Sequence, residues 1–379
     1  MSVDLAPQAL DGSSSATAEL DVVVVALADL DVAAYDRYVH QHPDVTPYHA
    51  SAWLFAVERA YGHPGKVVLA MADGQLRGVL PLVWVQRPLM APVLSSLPFC
   101  DLAGPLADSL DLSLKLIAAA RDLARQQRAG RLEVRRSQPS VVSSPGAGGC
   151  FPAGTKVRML APLPASSEAL FAGFKSKLRS QIRKAEKNGL AVSVCDRDSA
   201  IDEFYPVFAR NMLRLGSPVH SKGWFQSLKT AYGRQLRVGL VTLNEMPVGA
   251  GIVLLLGDRA CIPWASTLAE YNRLAPNMLL YWALLAHVCD AGCRQFDFGR
   301  STVDEGTYRF KRQWGAEPHP LLWQEWYPDD RDSSCQNTET PDSPGLSARL
   351  RPLVERVWQR LPLPLANWIG PRVRKYITL

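Results

Sequence analysis

The stretch FDFGRS, residues 296–301, sets an acid, a glycine and an arginine within four positions. Strand alternation puts Phe296 and Phe298 on one face and Asp297 on the other. Gly299 then reads as the end of the strand and Arg300 as the start of the next loop. Ligands of open α/β sheets gather beyond the carboxyl ends of strands. Arg300 is therefore placed to hold a phosphate or carboxylate through paired hydrogen bonds. The alternative is an Asp297–Arg300 pair that ties the loop. Where a general base is required, the options are Asp297, a water or the substrate itself.

The stretch YRFKRQWG, residues 308–315, supplies Tyr308 and Lys311. An ammonium group can stabilise a developing oxyanion, and a tyrosine one turn earlier can act as an acid. The commonest fate of a lysine is a solvated helix face, and residue type alone leaves both readings open. In PWAST, residues 263–267, Trp264 and Ser266 share a strand face with Ala265 opposite. They either line a substrate cleft or belong to the core. The segment 175–187 reads as a basic helix with Lys175, Lys177, Arg179, Arg183, Lys184 and Lys187 against Glu186. Arg179, Arg183 and Lys184 either meet an anionic substrate or form a solvated face. His63 and His220 have no triad-like context and read as structural. There is no Ser-His-Asp signature, no zinc-ligand spacing and no phosphate-binding glycine pattern.

The elements that must position these groups occur twice. Trp53, Ala60, Tyr61, Gly62, Val67, Leu69 and Gly78 match Trp224, Ala231, Tyr232, Gly233, Val238, Leu240 and Gly249, each pair 171 positions apart. In both copies a helix (53–61, 224–232) ends at glycine and is followed by a strand (66–72, 236–243). A turn (Asp73-Gly74, 244–247) leads to a returning strand (78–85, 249–256). A second helix (112–127, 278–290) and a further strand (131–134, 295–298) follow at a different offset. A helix, a hairpin, a crossover helix and a last strand make an α/β fold with helices on a mixed sheet.

The totals fit two domains. A chain of 379 residues with 47% hydrophobic residues is too long for one ordinary core. Residues 141–154 and 328–344 read as linkers from their Ser, Pro, Gly and Asp content. Beyond them, residues 347–379 hold Arg349, Arg351, Arg356, Arg360, Arg372, Arg374 and Lys375 against Glu355, and so carry the whole net charge of +6. The remainder is neutral overall, unlike a basic nucleic-acid-coating protein. Seven scattered cysteines suit a reducing compartment. Residues 1–18 lack a basic and apolar leader, and no apolar run reaches the roughly 20 residues of a spanning helix. The expectation is a cytoplasmic protein.

Several stretches, taken in order, resemble the FemAB/FemX family of tandem acyltransferases. They are LPFCDLAGPL (97–106), KSKLRSQIRKAEKNGL (175–190), GSPVH (216–220), PWAST, PNMLLYW (276–282), FDFGRS and YRFKRQWGAEP (308–318). The resemblance spans about residues 45–327 and looks closest to the FemAB-like proteins that accompany exosortase (PEP-CTERM) and exopolysaccharide gene clusters. It implies two GCN5-related N-acetyltransferase (GNAT) domains in tandem, at 20–155 and 156–330. A linker at 331–346 and a basic tail at 347–379 would follow. The first domain shapes a cleft, and the second carries Lys311, Asp297 and Tyr308 as catalytic candidates. Arg300, Trp264, Ser266, Asn277, Arg179, Arg183 and Lys184 are the substrate-binding candidates.

Lys311 lies four residues before Gly315, where GNAT enzymes commonly carry a tyrosine, and matches the lysine of the FemX-like FK motif. The family moves an acyl or aminoacyl group onto an amine, so the substrate is the nucleophile. A typical acetyl-CoA site has a glycine-rich turn before a helix. Here the turn is Arg273-Leu274-Ala275-Pro276-Asn277, without glycine. The implied donor is thus aminoacyl-tRNA or acyl-CoA, with no tightly bound cofactor and no metal. The implied acceptor is an anionic or lipid-linked sugar or peptide of cell-envelope or exopolysaccharide synthesis, handled by a monomer. An acyl-CoA-dependent N-acetyltransferase and a non-catalytic scaffold are the other readings. In the scaffold reading the Arg- and Trp-containing tail contacts the membrane; otherwise it packs back on the protein.

Overall fold

A computed structural model describes residues 20–137, 151–327, 336–337 and 346–378. Residues 1–19 and most of both expected linkers lie outside the described residues. The first half runs β1 (Leu20–Ala26), α1 (Val32–Gln41), α2 (Ser51–Tyr61), β2 (Gly65–Ala72), β3 (Gln75–Arg87), β4 (Met90–Ser95), β5 (Leu106–Ala107), α3 (Leu110–Gln126) and β6 (Arg131–Ser137). The second runs β7 (Lys156–Pro162), α4 (Ser167–Gly173), α5 (Ser176–Lys187), β8 (Leu190–Cys195), α6 (Ala200–Arg214), α7 (Lys222–Tyr232), β9 (Leu236–Leu243), β10 (Met246–Leu256), β11 (Arg259–Thr267), α8 (Pro276–Asp290), β12 (Gln295–Thr302), α9 (Gly306–Arg312) and β13 (Glu317–Trp326). The short β14 (Gln336–Asn337) falls inside the expected linker, and the tail forms α10 (Leu346–Gln359) and α11 (Leu363–Arg374).

The repeat is visible in the elements. α2 ends at Gly62 with φ 69°, a left-handed cap that suits glycine. Both hairpins turn through two left-handed residues, Asp73-Gly74 in one copy and Asn244-Glu245 in the other, as a two-residue hairpin turn requires. β2 pairs with β3 and β9 with β10, and the matched residues take equivalent places.

The two expected sheets are one. Strand order is β1-β2-β3-β4-β6-β13-β7-β12-β11-β10-β9-β8, with β5 on β3 and β14 on β13. The strand that follows β6 in sequence, β7, pairs with β12 of the second half. The strand that follows β12, β13, pairs with β6 of the first half from Leu321 to Trp326. Counted by the repeat, in which β7 closes the first copy after β6 as β13 closes the second after β12, each copy hands its last strand to the other, and β7 and β13 also pair together.

The core follows the same symmetry. α2 packs on α7, and the matched Trp53 and Trp224, both fully buried, meet edge to face with ring centroids 5.3 Å apart. Trp264 of β11 stacks on Trp53 at 6.1 Å. On the opposite sheet face α3 covers the first half, and α4, α5 and α8 cover the second.

The described tail packs back on the protein. Gln359 donates to the Arg214 carbonyl. Gly370 lies so close to Val219 that a Cβ would come within 2.9 Å of it. His63 donates to the Lys375 carbonyl. Thr378 is buried, accepts from Phe99 N and from Arg135 at its carbonyl, and donates from its hydroxyl to Glu133.

Burial alone would raise the Glu133 carboxyl, but the guanidinium groups of Arg135 and Arg131 outweigh it and hold it below the ordinary value. A folded-state pKa below the unfolded one adds stability at neutral pH that disappears as pH falls through the folded value. Glu133→Gln is therefore expected to flatten the acid side of the stability–pH curve, measured by urea denaturation between neutral and acid pH. Trp224→Ala is expected to cost about 3–5 kcal/mol in the same assay. A loss below about 1 kcal/mol would show that the Trp53–Trp224 contact does not hold the two copies together.

Candidate functional site

The two copies differ where a strand parts from its neighbour. In the second half β11 and β12 are parallel partners only over Arg259–Cys261 and Gln295–Asp297. Beyond that β11 stays with β10, while β12 follows β7, and a gap opens between them. In the first half the same parallel pairing joins Val93–Ser95 to Arg131–Glu133. There the strand is interrupted: residues 96–105 leave the sheet between β4 and β5. This loop closes the first gap. Ser96 N donates to Glu133 O, Ala103 N to Arg135 O, and Arg135 Nη1 to Cys100 O. At Gly104 the approach is so close that a Cβ would lie 2.5 Å from that of Arg136. A cavity of about 180 Å³ remains at the start of α3, lined by His42, His49, Gly104, Ser109 and Arg136 among others.

The same loop carries Asp101 across to the second half. β12 does not end at Gly299, as the strand reading had it, but continues to Thr302 through an irregular register between Asp297 and Arg300. Gly299 has φ 72°, a left-handed conformation natural to glycine. Charged side chains grip this bend. Gly299 N donates to Asp297 Oδ1 at 2.7 Å, and Arg300 N to Asp101 Oδ2 at 3.1 Å. Lys311 Nζ donates to Arg300 O at 2.8 Å and Gly299 O at 3.3 Å. A Cβ on Gly299 would lie 3.0 Å from Asp101 Oδ2, so the contact also needs glycine here.

The expected Asp297–Arg300 alternative is replaced by two other pairs. Asp297 Oδ2 accepts from Arg158 Nε of β7 at 2.7 Å, with both side chains nearly buried. Arg300 faces Asp101, Nε to Oδ1 at 3.8 Å, and its guanidinium lies over the Trp323 ring at 4.5 Å. Trp323, on the exchanged β13, donates to the Asp101 carbonyl.

Lys311 is 8% exposed, so the solvated-lysine alternative is overturned. Burial pushes its ammonium down to about 8; the Asp101 and Asp297 carboxylates pull it up and the Arg300 charge lowers it. An ammonium has three N–H donors, and the two carbonyls take two of them.

The other sequence candidates lie around this centre or away from it. Tyr308 sits in the first turn of α9, one turn before Lys311, half-buried against the second-half core. Trp264 borders the gap and belongs to an aromatic cluster with Trp53, Trp224, Phe225 and His220. Ser266 is buried and accepts from Asn211 Nδ2. Asn277 occupies the first turn of α8, after Ala275 at φ 61°. α5 packs against α8 and β8, with Arg183 over the Phe171 ring at 5.4 Å. Asn188, next after α5, donates to Leu274 O, which brings the Lys184 end of the basic helix to the turn before α8. His220 is held by Tyr61 and packs in the aromatic cluster. Among the described residues no group of three or more His, Cys, Asp or Glu could hold a metal, and no helix is long and apolar enough to cross a membrane.

Asp101, Arg158 and Trp323 were missed by sequence reasoning. Asp101 lies inside the singled-out LPFCDLAGPL stretch, but nothing local points it at Arg300, 199 positions away. Because the Asp101 charge supports the ammonium, Asp101→Asn is expected to lower the Lys311 pKa further below about 8. Titration of the lysine side chain by NMR measures this; an unchanged or higher value would remove Asp101 from the site.

Comparisons agree with this architecture. Residues 172–312 match the family described as an acetyltransferase (GNAT) domain. The fold is similar to that of FemX, with TM-score 0.61 at 15% identity over 77% of this chain and 95% of that one. It is also similar to a tandem GNAT protein from the clavulanic acid biosynthesis pathway, with TM-score 0.50 at 16% identity over 83% and 100%. A conserved protein of unknown function from Bacteroides thetaiotaomicron matches with TM-score 0.51 at 9% identity over 78% and 97%. No curated protein matches by sequence. Residues 172–312, in the second half of the chain, therefore match a GNAT acetyltransferase domain, and the fold as a whole is similar to that of FemX.

Proposed function

We propose that the protein is an N-acyltransferase whose transfer site is the gap between β11 and β12, with Lys311 as its electrostatic centre. The observation that supports this reading most is the buried Lys311 ammonium, held by two carbonyls of the bent strand and left with a third N–H. In a site shielded from water such a donor stabilises developing negative charge far more than in bulk solvent.

The chemistry runs as follows. The acceptor amine attacks the donor carbonyl and a C–N bond forms, giving a tetrahedral oxyanion. The bond from that carbon to the donor oxygen or sulfur then breaks. The Lys311 ammonium stabilises the oxyanion, and Lys311 or Tyr308 gives a proton to the leaving group. The amine loses its own proton to water, and water in turn reprotonates the Lys311 or Tyr308 that gave one up, so the transfer balances. Asp297, with Oδ2 on Arg158 and Oδ1 on Gly299 N, acts as a positioning residue that holds the bend. Arg300 presents a guanidinium to the acceptor's anionic group.

The start of α8 favours a donor other than coenzyme A. Pro276 has no N–H. Ala275 N is bonded to Asn272 O, and Met278 N to Ala275 O. Few backbone donors remain for a pyrophosphate, whereas the Lys184 end of α5 adjoins this turn. Side-chain cations would then hold an anionic donor such as aminoacyl-tRNA. The motif resemblance supports an amine on a cell-envelope or exopolysaccharide precursor as the acceptor.

Lys311→Met keeps most of the length of the side chain and removes its charge. Turnover is expected to fall by about 10²–10³, with the fold checked by circular dichroism; a wild-type rate would end the assignment. Because the ammonium form is the active one, the wild-type rate should decline as pH rises through about 8. Calorimetry with coenzyme A is expected to show no tight binding, and submicromolar affinity would shift the donor to acyl-CoA.

A further inference from the structure

The tail packs one face on the protein and leaves another in solvent. On α11 the inward positions are Ala366 and Gly370, both buried. The outward positions Leu365, Trp368 and Arg372 follow at helical spacing, with Leu365 40% and Trp368 58% exposed. The Arg372 guanidinium lies over the Trp368 ring at 4.2 Å. On α10, Leu353, Val354 and Val357 are each 57–58% exposed, again at spacings that share a face. Exposed single apolar residues are ordinary, but a run of them on adjoining helices is not.

The charged residues of this stretch are basic with one exception. Arg356, Arg360 and Arg372 are exposed, and Arg214 and Leu215 at the end of α6 adjoin α10 through the Gln359–Arg214 bond. From 352 to 378 the sole acid is Glu355, half-buried with its Cα and Cβ against Gly216. The exposed cations therefore have no exposed acid beside them within the tail. Aliphatic side chains and a tryptophan, bordered mainly by arginines, fit the boundary between acyl chains and anionic headgroups.

We infer that α10 and α11 form a docking face for an anionic lipid bilayer. The face is a fixed facet rather than a flexible tether. His63 and Val219 hold α11, and the last described residue, Thr378, is bonded to Phe99, Arg135 and Glu133. Docking thus requires little further ordering of the chain. It also sets an orientation, because Phe99 is two positions from Asp101, so the facet and the Lys311 centre are joined by one short loop. The inference stands independently of the transfer chemistry.

Flotation of the full-length protein with vesicles tests it. Vesicles of phosphatidylcholine containing about one-third phosphatidylglycerol are expected to carry at least about tenfold more protein than phosphatidylcholine alone, with the difference shrinking at high salt. The exposed-residue variants Leu365→Ser with Trp368→Ser, and Arg356→Glu with Arg360→Glu and Arg372→Glu, should each lose this binding while keeping the wild-type thermal melt. Equal flotation on both vesicles, or undiminished binding by both variants, overturns the inference. So does the absence of vesicle binding together with a dimer in sedimentation velocity that Trp368→Ser dissolves, which would assign the face to a second copy of the chain.

Discussion

The exchange of β7 and β13 is the constraint on which the rest of the structure depends. A sheet edge is a row of unpaired backbone donors and acceptors. Each half alone would end in such an edge at β6 or β12. By trading last strands, the halves pair both edges and also pair β7 with β13. The two sheets become one, and the relative position of the copies is set by hydrogen-bond register rather than by a linker. The Trp53–Trp224 contact then fills the helical layer along the seam.

That fixed register makes a shared site possible. Arg158 of β7 reaches Asp297 only because β7 lies beside β12, and Trp323 of β13 reaches Asp101 only because β13 lies beside β6. Asp101 comes from the first half, Arg300 and Lys311 from the second. The bent segment Gly299–Arg300 is gripped from several sides, so its conformation is over-determined. A lysine can be buried there because carboxylates on two sides offset part of the cost of desolvation.

Duplication supplied two gaps, and the copies use them differently. Glu133 and Asp297 take equivalent places next to their parting strands, and both are buried against arginine. In the first copy residues 96–105 fill the gap and the tail end is fastened to the same network. In the second copy β11 runs on without interruption. The first copy has become a wall that also delivers Asp101, and the second keeps the opening.

The sequence by itself determined that the chain is a duplicated α/β fold, and it placed the helices and strands of the repeat closely. Those features are local: glycine at Gly62, the two-residue hairpin turns and the apolar periodicities act over a few residues and leave their mark there. Local reading stopped Gly299 too early, because glycine in a strand signals an end as readily as a bulge. Only the tertiary structure decided the strand exchange, the partner of Asp297 and the arrival of Asp101 at Arg300. It also decided the burial of Lys311, whose residue type alone suggests solvent. Each of these joins groups far apart in the chain through charge and backbone pairing. Such pairing obeys distance in space and leaves no periodicity behind, so residue spacing cannot reveal it.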